Sequence, residues 1–134
     1  MLSESVENYL SEILRLEEAE LAATTSVLAD RLGVARPSVT GMLKRLAEER
    51  LVTYEPYRAA TLTNRGRRSA RATMRRHRLV ETFLVDVLGM SPDRVHEEAH
   101  RLEHALSDEV IDRLDDWLGR PDRDPHGSPI PAAE

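Results

Sequence analysis

Thr24-Thr25-Ser26-Val27-Leu28-Ala29-Asp30-Arg31-Leu32-Gly33-Val34-Ala35-Arg36-Pro37-Ser38-Val39-Thr40-Gly41-Met42-Leu43-Lys44-Arg45-Leu46 decides how the front of this 134-residue chain folds. Its first half reads as a capped short helix with Val27, Leu28 and Leu32 turned inward, and Gly33 ends it. Pro37 suits the first turn of a second helix whose inward positions are Val39, Met42, Leu43 and Leu46. Two short helices, a glycine-containing turn and small polar residues opening the second helix make a helix-turn-helix. The second helix of such a motif lays its N-terminal residues on base edges, which here are Arg36, Pro37, Ser38 and Thr40. Thr25 and Ser26 open the first helix as further contacts to DNA. Lys44, Arg45 and Arg50 follow as phosphate contacts, which position a protein without specifying sequence.

What comes next strengthens that reading. Leu51-Val52-Thr53-Tyr54-Glu55 and Ala60-Thr61-Leu62-Thr63 alternate like two short strands around the turn Pro56-Tyr57-Arg58-Ala59. A helix-turn-helix followed directly by a hairpin is a winged helix, with Tyr57 and Arg58 at the wing tip. Ahead of it, Val6, Tyr9, Leu10, Ile13, Leu14 and Leu21 recur at helical spacing, and Ser3 or Ser5 can cap that helix. Behind it, Thr63 caps a long helix from about Asn64 to Leu88, arginine-rich first and apolar later, ended by Gly89.

Charge divides the chain in three. Residues 1–30 carry −6, residues 31–78 carry +10 and residues 79–134 carry −9, within a net −5. A basic middle between acidic ends is a surface for a polyanion. There is no cysteine, so disulfides and thiolate ligands are excluded. No apolar run approaches membrane-spanning length, and the N-terminus lacks the basic and apolar regions of a signal peptide. The expected location is the cytoplasm, with no membrane partner.

Three of the five histidines fall in Val95-His96-Glu97-Glu98-Ala99-His100-Arg101-Leu102-Glu103-His104. Residues three and four apart share a helix face. His100, Glu103 and His104 therefore point one way, with His96 a turn earlier, while Val95, Ala99 and Leu102 form an apolar stripe. Imidazole with carboxylate is a ligand set for divalent transition metals. On the long helix, His77 and Glu81 lie four apart: a candidate ligand pair, or a surface ion pair. Ser91-Pro92-Asp93 reads as the start of the histidine helix, and Ser107-Asp108-Glu109 as the start of one more, stopped by Gly119 and Pro121. Phe83, Leu84, Val87, Ile111, Leu114 and Trp117 exceed what so small a helical module can bury, and a homodimer interface is the natural cover.

These features together resemble the diphtheria toxin repressor and manganese transport regulator family of metal-dependent repressors. The resemblance runs over nearly the whole chain. It includes Glu7-Asn8-Tyr9-Leu10, the winged helix, Arg76-His77-Arg78-Leu79 with Glu81, and the run from His96 to His104. It continues through Leu106-Ser107-Asp108 and Asp124-Pro125-His126-Gly127-Ser128-Pro129-Ile130-Pro131. It implies a mostly α fold in three parts: a winged-helix DNA-binding domain over residues 1–72, an all-helical metal-binding and dimerisation domain over 73–120, and a proline-rich tail or linker over 121–134. It also implies two metal sites. His77, Glu81 and His96 form the first, completed by His126, and His100, Glu103 and His104 form the second with Asn8. The family has Met or Asp where this chain has Asn8, and Cys or Glu where it has His100. Both changes remove a soft or anionic donor, so by softness Fe(II), Co(II), Ni(II) or Zn(II) should be held at least as well as Mn(II). The wing and tail look more like the manganese-responsive branch, which leaves the resident metal between manganese and iron. Family members often carry a further C-terminal β domain, and residue 134 falls where it would begin.

The expected function is a metal-dependent repressor that binds palindromic operator DNA as a homodimer when loaded with Mn(II) or Fe(II). A metal-independent winged-helix regulator with structural histidines is the first rival. A metallohydrolase is the second, and it lacks a general base beyond the cluster's own ligands.

Overall fold

The computed structural model describes residues 2–133, which hold six helices and one two-stranded sheet. They divide into two compact units after Arg71.

In the first unit, α1 (Glu4–Glu18) opens where the Ser3 hydroxyl accepts the Val6 N–H at 3.2 Å. It buries Val6, Leu10, Ile13, Leu14 and Leu16. α2 (Thr25–Leu32) starts the same way, with Thr24 Oγ1 accepting from Val27 N. Gly33, at φ 66°, ends it in the left-handed conformation that glycine adopts without a Cβ clash. α3 (Arg36–Glu48) sends Val39, Leu43 and Leu46 into the core. The inward positions expected for α2 and α3 are met, except that Val27, Leu32 and Met42 are half-buried.

The wing is shorter than its alternation suggests. β1 (Val52–Thr53) pairs antiparallel with β2 (Thr61–Leu62), Val52 opposite Leu62, and an isolated bridge joins Ala23 to Ala60. Between them Tyr57 takes φ 65° and stands fully exposed. Thr63 then does two jobs: its Oγ1 donates to the Arg50 carbonyl at 2.7 Å and accepts the Gly66 N–H at 3.0 Å. That is the N-cap of α4 (Asn64–Asp86), whose residues through Arg71 belong to this unit.

The second unit holds the rest of α4, α5 (Val95–Glu103), α6 (Asp108–Trp117) and residues 118–133. Leu79, Val80, Leu84, Val95, Ala99 and Ile111 form its buried core, with Phe83, Leu114 and Ile130 packed at the edge. Arg75 anchors α6 to α4 through Asp112 and Asp115, both at 3.1 Å.

α5 departs from expectation at its start. Ser91-Pro92-Asp93 forms a turn, with Arg94 N donating to Ser91 O at 3.0 Å, and the helix begins at Val95. In this turn the Pro92 carbonyl meets the His126 ring, whose Nε2 lies 2.8 Å away, and Val95 is fully buried in the core. α6 begins as read, with Ser107 Oγ accepting from Val110 N.

The proline-rich tail is folded locally. Asp124 Oδ1 accepts the N–H groups of His126 and Ser128, both at 2.9 Å, and Gly127 turns the chain at φ 85°. Pro129 O accepts from Arg78 Nη1 on α4 at 2.6 Å. Around the unit, Val87, Leu88, Val110 and Trp117 remain exposed, Trp117 at 76%.

Candidate metal centre and nucleic-acid interface

The four-residue spacing on α4 places His77 and Glu81 side by side in the second unit's interior, 2% and 3% exposed. His77 Nε2 lies 2.7 Å from Glu81 Oε1 and 3.1 Å from His96 Nδ1 on α5. From the tail, His126 Nδ1 lies 3.2 Å from Glu81 Oε2. All four residues expected at the first centre are therefore brought together.

Asp124 joins them, since an oxygen of this buried residue lies within 4.8 Å of donor atoms of both Glu81 and His126. Sequence reasoning missed it. The signal was present in Asp124-Pro125-His126-Gly127, where an acid two before a histidine and three before a glycine forms an Asx turn.

The residues fit an ion on two grounds. For metal–ligand bonds of about 2.1 Å, neighbouring donors round one ion sit roughly 3.0 Å apart in an octahedron and 3.4 Å apart in a tetrahedron. The separations here fall close to that range. Second, Glu81 Oε2 is buried with no well-formed hydrogen bond, although an imidazole nitrogen stands 3.2 Å away. A buried carboxylate oxygen without a partner is costly, and closeness without alignment is how two donors sit when both face a common cation.

Electrostatics favour the charged forms of His77 and Glu81 when no ion is bound. Burial pushes His77 toward its neutral form, but hydrogen bonds to Glu103 and then Glu81 outweigh it, and its pKa ends above the ordinary value. For Glu81 burial acts upward, and the hydrogen bond and charge of His77 carry the carboxyl below its ordinary value.

The second group stays within the same unit. His100 Nδ1 lies 3.0 Å and His104 Nε2 3.2 Å from one oxygen of Glu103, Oε1. The two imidazoles meet edge to face, with ring centroids 5.4 Å apart. Glu103 ends α5 and His104 caps it. Glu103 is 3% exposed, so two imidazoles converge on a buried carboxylate. Asn8 lies on α1 in the first unit.

In the first unit, a cavity of about 550 Å³ opens between the helix-turn-helix and the wing. It is lined by seven residues expected to touch DNA: Thr25, Ser26, Arg36, Thr40, Lys44, Tyr57 and Arg58. Thr24, Tyr54 and Pro56 line it too and were not singled out from sequence, because their capping and strand roles explained them already. Pro37, Ser38, Arg45 and Arg50 are exposed outside it. Among the described residues no helix is long and apolar enough to cross a membrane.

Comparison with known proteins places both halves. Residues 1–60 match the iron-dependent repressor N-terminal DNA-binding domain, and residues 63–132 match the iron-dependent repressor metal-binding and dimerisation domain. The diphtheria toxin repressor of Corynebacterium glutamicum is 40% identical over 97% of this chain and 57% of its own length. The iron-dependent repressor IdeR of Mycobacterium leprae is 39% identical over 97% of this chain and 56% of its own. Among solved structures, a manganese-dependent transcriptional repressor in complex with manganese superposes with TM-score 0.90 at 47% identity, covering 96% of this chain and 59% of that one. The chain thus spans somewhat more than half the length of these relatives. With both domain models matched and relatives near 40% identity across nearly all its residues, the chain belongs to the iron-dependent repressor family.

Proposed function

We propose that this chain acts as a metal-dependent homodimeric repressor that grips palindromic operator DNA when loaded with Mn(II) or Fe(II). The observation that carries the reading is the buried Glu81, flanked by His77 and His126 and left with an oxygen that no hydrogen bond satisfies. His77, Glu81, His96 and His126 hold one ion, with Asp124 as an added donor. His100, Glu103 and His104 hold the other. A bound divalent ion would supply positive charge and a shared attachment point for these side chains.

The protein's own residues do the rest. Arg36, Ser38 and Thr40 at the front of α3 read base edges, while Lys44, Arg45 and Arg50 neutralise phosphates. The exposed apolar side chains of the second unit, Val87, Leu88, Val110 and Trp117, form the two-fold contact. Two recognition helices held about one helical turn apart then meet successive major grooves. The imidazole-rich donor sets suit Fe(II), and also Co(II), Ni(II) and Zn(II) as in vitro substitutes, at least as well as Mn(II). Solved relatives include one with bound manganese and one with bound Zn2+.

The test is a titration of fluorescein-labelled promoter DNA, followed by anisotropy with Mn(II), with anaerobic Fe(II) and with EDTA. Tight binding with metal and its loss in chelator is expected. Equal binding in all three would leave a winged-helix regulator without a sensor.

A further inference from the structure

Glu103 faces two ways. Its Oε1 gathers His100 Nδ1 and His104 Nε2 at 3.0 and 3.2 Å, while its Oε2 lies 2.9 Å from Nδ1 of His77. His77 turns its other nitrogen, Nε2, toward Glu81 and His96. Glu103 and His77 are both almost wholly buried, so water does not compete for that hydrogen bond. We infer that Glu103 is at once a ligand of the second metal centre and the residue that positions His77 for the first.

The chemistry follows from the tautomer. A neutral imidazole has one N–H and one lone pair. With Nδ1–H donating to Glu103 Oε2, the lone pair is on Nε2, the nitrogen facing the first centre. A carboxylate behind a ligating histidine fixes the ring's orientation and makes its free nitrogen a better donor, and losing such a partner typically weakens metal binding by about 10–100-fold. Nothing else among the described contacts of His77 Nδ1 supplies that acceptor. The two centres are thus joined through one side chain, Glu103. Losing that carboxylate affects both.

This inference rests on the metal-sensing reading, and the experiment keeps the two apart. In full-length protein carrying His100→Ala and His104→Ala, one centre remains, and Mn(II) and Co(II) affinity is measured by calorimetry. Adding Glu103→Leu should weaken that centre about 10–100-fold, although Glu103 is not among its ligands. Adding Glu103→Gln, whose amide oxygen can still accept from Nδ1–H, should recover most of the loss. If Glu103→Leu unfolds by circular dichroism, Glu103→Asp, whose carboxylate stops one methylene short, replaces it in the comparison. Unchanged affinity in the Leu or Asp variant overturns the inference while leaving the sensor reading standing. An absence of any metal binding in the His100→Ala/His104→Ala protein overturns both.

Discussion

Gly66 sits directly against the backbone of Leu51: a Cβ built on it would overlap the Leu51 carbonyl oxygen. The same carbonyl accepts the Thr63 N–H at 3.1 Å, so the first turn of α4 is pressed onto the strand leading into the wing. Backbone cannot move aside as a flexible side chain can. Gly66→Ala should therefore destabilise by about 1–3 kcal/mol through overpacking, read from urea midpoints. Gly41, inside α3 with open space at its Cβ position, is the control. Gly41→Ala should stabilise by up to about 1 kcal/mol.

Metal binding to the folded state alone stabilises it, by about 2.7 kcal/mol when free ion is a hundredfold above Kd. Mn(II) or Co(II) should raise the thermal midpoint of the wild-type chain. His77→Ala and Glu81→Ala should lose a large part of that rise yet stay helical, since the core of the second unit is made by Leu79, Val80, Leu84, Val95, Ala99 and Ile111. A full rise in either variant would remove these residues from the ligand set.

Proton and metal compete for Nε2 of His77. Without metal, the raised pKa of His77 means its contribution to stability is full below its ordinary 6.5 and is lost as pH climbs through the raised value. The lowered pKa of Glu81 gives the opposite case: its contribution is present above 4.5 and lost as pH falls through the depressed value. The difference in melting temperature between wild type and His77→Ala, measured in EDTA, should thus shrink on going from pH 6 to pH 9. Metal affinity should rise over the same interval, because the proton must leave before the ion binds.

Arg36 and Lys44 line the same cavity, and the roles proposed for them at DNA differ. Lys44→Ala should weaken binding to all sequences alike and lower the slope of log K against log salt by about one. Arg36→Ala should cost about 1–3 kcal/mol on the preferred operator and relax selectivity at one base pair. Anisotropy titrations across salt and across single-base operator variants separate the two.

Trp117 and Val110 are exposed on α6 at 76% and 46%. Trp117→Asp and Val110→Asp should shift the sedimenting species from dimer to monomer without loss of helicity. Operator affinity should fall in step. A dimer that persists would place the two-fold contact elsewhere.

Much of this was legible in the chain before folding. Thr24, Gly33, Ser107 and Thr63 mark helix ends by local chemistry, and local chemistry survives into the structure. His77 and Glu81 could be paired because helical periodicity fixes their side. What could not be read depended on contacts distant in sequence. Ser91-Pro92-Asp93 has the residues of a helix start, but it forms a turn whose Pro92 carbonyl meets the ring of His126, 34 positions on, and the helix begins at Val95. Asp124 was hidden in a segment without periodicity. The double engagement of Glu103 needs α4 and α5 laid together, and no spacing within α5 reveals it.

The hydrogen bond from Arg78 to the Pro129 carbonyl uses no metal donor, and the turn with the backbone of His126 and Ser128 uses only Oδ1 of Asp124. The flap carrying His126 is thereby stitched down by the protein alone. An ion bound at Glu81 would meet a preassembled cradle and incur little ordering entropy, and its loss would not release the flap. Exchange of such an ion, and with it the response to a change in supply, would then be set by ligand dissociation and not by refolding of the tail.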